Sequence, residues 1–219
     1  MAARISLQEQ FGRIDIYLFD QILRGNIARI PGSMRVVDAG CGHGRNLVYL
    51  LREGYEVFGV DASAEAVASV REMAGDLAPG LPAANFQVAA VESMPFVDGF
   101  ADVVVCNSVL HFARGDAHFE AMVGELWRVL RPGGMLFCRL GSVIGACPGM
   151  GKEMAFQQAQ GAGSDRLYRM GDGQVWYLVD EAMLMGLTRG LGGRLIDPLK
   201  TTVVQGVRCM TTWVVRKGG

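Results

Sequence analysis

The chain has 219 residues, half of them hydrophobic, with a formal net charge of −1; it has room for one domain with a substantial core. No Lys/Arg-rich run offers the electrostatic footprint of a nucleic-acid binder. The polar, acidic start argues against a signal peptide, and no apolar run approaches the roughly 20 residues that span a bilayer. Five scattered cysteines without a C-x-x-C pair indicate reduced thiols, so a soluble cytoplasmic protein is expected.

Leu7, Phe11, Ile14, Leu18 and Ile22 recur at three- and four-residue steps, predicting an amphipathic helix within 7–30. A strand at 35–38 meets a glycine-rich turn, then a helix at 46–53. Strands at 56–60, 85–89, 102–106 and 134–140 alternate with helices at 63–74 and 115–130, the pattern of a parallel α/β sheet. The run from Asp102 to Cys106 is apolar enough for a central strand covered on both faces. Beyond Gly141 the chain is glycine-rich and irregular to Gly173, with a short helix near 152–160; this length suggests a lid or substrate loop. Asp180 caps a helix reaching about Thr188, and strands at 190–196 and 201–216 close the chain.

The chemistry concentrates in Val36-Val-Asp-Ala-Gly-Cys-Gly-His-Gly-Arg-Asn-Leu47. Gly40, Gly42 and Gly44 permit positive φ and leave the backbone bare to a ligand, while amides opening the next helix suit an anion. A dinucleotide loop would need glycine where Arg45 stands. Asp61 ends the second strand 21 positions after Gly40, where an acid can accept both hydroxyl protons of a ribose. Asp38 with glycines at alternate positions resembles motif I of the class I S-adenosylmethionine (SAM) methyltransferases.

Later stretches extend that resemblance over residues 30 to 140. They are Val91-Glu-Ser-Met-Pro-Phe96, Asp102 through Asn107 to His111-Phe112, and Leu130-Arg-Pro-Gly-Gly134. The glycine-loop and second-strand wording resembles the branch containing the tellurite-resistance methyltransferases and their small-molecule relatives. The resemblance implies a Rossmann-like α/β fold: a seven-stranded, mostly parallel sheet with a C-terminal antiparallel strand and helices on both faces. It implies one domain over 1–219, divided into an N-terminal cap helix (1–30), a cofactor core (31–140), a lid or substrate insertion (141–179) and a terminal helix with a strand hairpin (180–219).

Roles follow by position. Gly40 to Gly44, with Cys41 as a small turn residue, would hold the methionine part of SAM, the helix start near Arg45 facing its carboxylate. Asp38 would organise the loop or meet the amino group through water. Asp61 would take the ribose hydroxyls, Ala62 would lie against adenine, and Val91 and Glu92 would border the adenine edge. The chain departs from its relatives here: Ala90 stands where an acid often receives the adenine amino group. Asn107 would turn its carbonyl to the amino group of SAM, and it lacks the Pro-Pro-aromatic sequel of nucleobase methyltransferases.

His111 and Phe112 would lie near the transferred methyl, His111 as a candidate base for a protonated acceptor. Tyr17, Arg166, Tyr168 and Trp176 are candidates for the acceptor pocket. His43 reads as a variable loop residue and His118 as a helix-surface one. Three histidines without paired spacing give no metal site. The expected function is methyl transfer from SAM, leaving S-adenosylhomocysteine (SAH), to a small-molecule acceptor, with no membrane and no nucleic-acid partner. The other readings are a non-catalytic SAM-binding protein, a macromolecular methyltransferase and, on the ribose alone, a nicotinamide oxidoreductase.

Overall fold

Val36 and Val37 lie beside Val103 and Val104 at the middle of the sheet, and none is more than 1% exposed. Parallel strands buried on both faces select such β-branched residues at successive positions. The computed structural model describes residues 6–27, 34–146, 157–158, 164–204 and 207–219. Its N-terminal helices are α1 (Leu7–Phe11) and α2 (Ile16–Leu23). β1 (Arg35–Ala39), α3 (Val48–Arg52), β2 (Glu56–Asp61), α4 (Ala64–Leu77) and β3 (Phe86–Val88) follow. Next come β4 (Ala101–Asn107), α5 (Asp116–Val129) and β5 (Leu130–Gly141).

The remaining elements are β6 (Gln157–Gln158), β7 (Leu167–Arg169), β8 (Val175–Tyr177), α6 (Glu181–Gly190), β9 (Gly193–Leu195), β10 (Lys200–Val204) and β11 (Arg208–Lys217). The main sheet has the order β10-β11-β5-β4-β1-β2-β3, with β9 also paired to β11. β1 to β5 are mutually parallel, and β11 is antiparallel to β5, β10 and β9. Alternate residues of β1 and β4 feed two cores. Val37, Val104 and Cys106 pack towards Phe119, Val123 and Leu126 of α5. Val36, Val103 and Val105 share a cluster with Leu18 of α2, Leu50 of α3 and Val67 of α4. Helices therefore cover both faces.

Four differences from the sequence reading have local causes. The single helix expected within 7–30 breaks at Gly12, whose φ of 63° is left-handed, and restarts with Asp15 capping α2. The strand expected over 201–216 folds back as the β10–β11 hairpin. β9 and β10 lie on the same edge of β11, so one strand position is split around Pro198 and the main sheet counts eight strands rather than seven. Proline has no amide to continue the ladder. The irregular stretch contributes a separate antiparallel sheet, β6-β7-β8; the helix expected near 152–160 lies outside the described residues except at Gln157–Gln158, which are strand. No helix among the described residues is long and apolar enough to cross a membrane.

Candidate functional site

A cleft of about 800 Å³ opens at the carboxyl ends of β1, β2 and β4. Here β1 has β2 on one side and β4 on the other, the switch point where open α/β sheets bind ligands. Gly40, Cys41, Gly42, Arg45, Asp61, Ala62, Val91, Glu92, Asn107 and Phe112 line it, so most of the expected cofactor residues converge there.

The glycine loop is held by its own backbone. The amides of Gly40 and Cys41 both donate to the carbonyl of Val60 on β2, at 2.8 and 2.9 Å. Gly40 has φ 78°, and a Cβ there would meet Cγ2 of Val109 at 2.4 Å. Gly44 has φ 77° and lies against Met73 of α4, away from the cleft lining. Gly42 faces open space, and its amide donates to Oδ2 of Asp61 at 2.9 Å. The other oxygen, Oδ1, accepts from the Ser63 amide at 2.9 Å. The amides of Gly44 and Leu47 are occupied by the carbonyls of Cys41 and Gly44. The segment read as the start of a helix at 46 thus closes as turns, and α3 begins only at Val48.

Asp38 lies beneath this loop, 1% exposed, and neither carboxylate oxygen has a hydrogen-bond partner among the described residues. Burial raises its pKa to about 7, Arg45 opposing and Asp61 adding to the rise. The Cys41 thiol is buried, and desolvation together with Asp38 and Asp61 pushes its pKa far up, which disfavours the thiolate form.

Arg45 turns sideways: Nη2 donates to Oδ1 of Asn107 at 2.9 Å, and the Ser108 hydroxyl donates to the same oxygen at 2.9 Å. Ser108 has φ 65°, the one non-glycine residue with positive φ among those described. Such strain, held by the surroundings, clusters at ligand sites. At the other end, Oε1 of Glu92 lies 3.0 Å from Nε2 of His118 and 3.6 Å from Nη2 of Arg114. Nδ1 of His118 accepts from the Arg114 amide, so a neutral ring carries its proton on Nε2, which lies at ion-pair distance from Glu92 without meeting hydrogen-bond geometry. Glu92's own amide, aided by His118 and Arg114 against a burial penalty, holds its carboxyl below the usual range.

Several expected residues lie elsewhere. His111 is 2% exposed and outside the lining; its Nδ1 accepts a long 3.4 Å bond from Gly141 and its ring stacks 4.0 Å from Trp176. Burial, with Arg208 adding, lowers its pKa to about 4, which unsuits it to act as a base from inside the wall. Trp176 thus backs the wall through His111. Arg166 pairs with Asp180 at 2.8 Å and, with Tyr168, lines a second cavity of about 420 Å³. Tyr17 bonds Thr202 at 2.7 Å beneath Arg139 and lies outside the cleft lining. Of the five acceptor candidates Phe112 alone lines the cleft, 52% exposed.

Sequence reading missed Arg13, Ser108, Val109, Arg114 and Met122, and placed His118 on the helix surface, although all six line the cleft. Val109 carried a signal in hindsight, since Gly40 has no room for any larger residue beside it. Among the described residues no group of three or more His, Cys, Asp or Glu could hold a metal.

Residues 37–138, a little under half of the chain, match the family described as methyltransferase domain. An uncharacterised methyltransferase of Synechocystis, sll0829, is 33% identical over 117 residues, 53% of this chain and 51% of that protein. Malonyl-[acyl-carrier protein] O-methyltransferase of Enterobacter lignolyticus is 34% identical over 113 residues, 50% of this chain and 41% of that protein. The chain spans about half, or less, of these relatives' lengths. The solved magnesium protoporphyrin IX methyltransferase of Synechocystis with bound SAH shares the fold: TM-score 0.63, 18% identity, covering 100% of this chain and 90% of that one.

Proposed function

We propose that the chain is an enzyme that transfers a methyl group from SAM to a small-molecule acceptor by in-line displacement. The observation that carries the reading is the Gly42–Asp61 unit, which sets a carboxylate beside a bare loop at the switch point of the sheet. The residues present fit the cofactor. Asp61, its oxygens already ordered by two amides, would accept from the ribose hydroxyls. The unpartnered Asp38 carboxylate lies under the loop where an ammonium, directly or through water, would favour its ionised form. Ala62 and Val91 would pack on adenine, and Glu92, fixed by His118, would accept at its polar edge in place of the acid that Ala90 lacks.

When bound, SAM supplies an activated methyl group on a sulfonium. This chain's contribution is alignment and exclusion of water, which suffices for a displacement with no covalent enzyme intermediate. Asn107 and the strained Ser108 set the wall beside the transfer point, and Phe112 and Val109 offer the acceptor an apolar surface. A cleft of about 800 Å³ has room for a nucleoside-sized cofactor and a small partner. In this reading 141–179 is the acceptor-side insertion, and the buried thiols of Cys41, Cys106 and Cys138 suit a cytoplasmic setting.

Titration calorimetry with SAM and SAH, followed by a screen of extracts and carrier-bound acids for uptake of labelled methyl, tests the proposal. Neither ligand binding at tens of micromolar would end it. Binding without any transfer would favour a non-catalytic role, and transfer confined to RNA or protein would reject the small acceptor.

A further inference from the structure

The two ends of the cleft differ in charge. Asp61 and Glu92 lie at the β2 and β3 end, whereas Arg13, His43 and Arg45 lie around the glycine loop. A ligand with its ribose on Asp61 has its opposite end at that loop. Several groups there that could receive an anion are engaged. The amides of Gly44 and Leu47 bond to carbonyls within the turn, and Arg45 is held on Asn107. Arg13 and His43 are the exceptions: exposed and cleft-lining, neither has a side-chain partner among the described residues, and of the two only Arg13 carries the permanently charged guanidinium fork.

Its position is nevertheless fixed, because the elbow between α1 and α2 is pinned on both sides. Gly12 sits so close to Val48 of α3 that a Cβ would meet it at 2.8 Å. Phe11 stacks on Tyr49 with ring centroids 5.4 Å apart. On the other side the Asp15 amide donates to Oδ1 of Asn46 at 3.0 Å, while Oδ2 of Asp15 takes Nη1 of Arg139 on β5 at 3.0 Å. An arginine held at the rim by buried anchors, with its own guanidinium uncommitted, is a preorganised fork for a carboxylate.

We propose that Arg13 is the anchor for the α-carboxylate at the amino-acid end of SAM, the role that sequence reading gave to the helix start near Arg45. The inference rests on the SAM reading and adds the N-terminal elbow to the cofactor site. It is tested by measuring SAH and 5′-methylthioadenosine, which lacks the amino-acid end, against the full chain and its Arg13→Ala and Arg13→Lys variants. Arg13→Ala should weaken SAH about tenfold or more, the size expected for a charge-assisted contact, and leave methylthioadenosine unchanged. Arg13→Lys should recover part of the loss, and melting temperatures should coincide, since the side chain is exposed.

Equal SAH affinity in Arg13→Ala and the parent chain would overturn the proposal, leaving an anionic acceptor as the group Arg13 serves. Parallel loss of both ligands would also overturn it, by showing a distorted cleft. If the parent chain binds neither ligand, the SAM reading itself has failed.

Discussion

The carboxylate of Asp61 accepts the amide of Gly42 at 2.9 Å, so the acid ending β2 and the loop after β1 form one unit across two strands. Asp61→Ala removes the ribose acceptor and frees the Gly42 amide together. Affinity for SAH should fall by about 3 kcal/mol, roughly 100-fold. Calorimetry reads this directly, and an unchanged Kd would remove Asp61 from the site.

Asp38 couples the site to pH. Its folded pKa of about 7 lies above the ordinary 3.8, so the folded chain binds more protons between those values. Its contribution to stability is therefore fully present near pH 4 and is lost as pH rises to about 7, by about 4 kcal/mol at most. Asp38→Asn should flatten that part of the stability profile in chemical denaturation. SAH binding should strengthen from pH 6 to 8 in the parent chain and lose that slope in the variant.

His111 acts in the opposite sense. Its folded pKa of about 4 lies below the ordinary 6.5, so the unfolded chain binds the extra proton and stability is lost as pH falls through that window. The full effect is about 3 kcal/mol. His111→Asn should show a smaller loss of stability between pH 6.5 and 4. Its kcat profile with any acceptor found should keep the parental shape; loss of a limb would restore His111 as the base.

Glu92 should distinguish adenine from hypoxanthine. With Oε1 held by His118, the remaining oxygen suits an exocyclic amine and repels a carbonyl. The parent chain should prefer SAH over its inosine analogue by about tenfold, and Glu92→Ala should shrink that preference. An undiminished preference in the variant would assign adenine to backbone groups alone.

Gly40→Ala should be among the most damaging small substitutions. It combines a left-handed φ of 78° with a 2.4 Å clash against Val109, costing about 3 kcal/mol or more. Adding Val109→Ala should return the steric part, a coupling that a double-mutant cycle measures.

What the sequence made legible was what neighbouring residues impose. Asp38, the three glycines and Asp61 obey a turn geometry and a strand spacing, and apolar runs such as Asp102 to Cys106 announce burial from both sides. The groups missed are joined by distant segments. Nothing near Arg13 marks it as a cleft residue, because Asn46 and Arg139 place it there. His118 looked like a surface residue because its partner, Glu92, follows a different strand. His111 was legible as a neighbour of the site but not as one facing inward, since Trp176, far along the chain, covers it. The break within 7–30 depended on one glycine whose φ periodicity does not encode.

The split around Pro198 has a consequence for the order of assembly. Asp197, exposed there by only 6%, receives Gln21 and Arg24 of the N-terminal segment, while Thr202 meets Tyr17 across 185 positions of sequence. Contacts of such separation carry the largest closure entropy and form late. The elbow bearing Arg13 is therefore expected to dock after the last strands have paired, and on partial unfolding it should leave first. Amide exchange in α2 would then proceed through an opening cheaper than global unfolding, ahead of β1 and β4. A newly made chain would acquire its cofactor grip as the final step of folding.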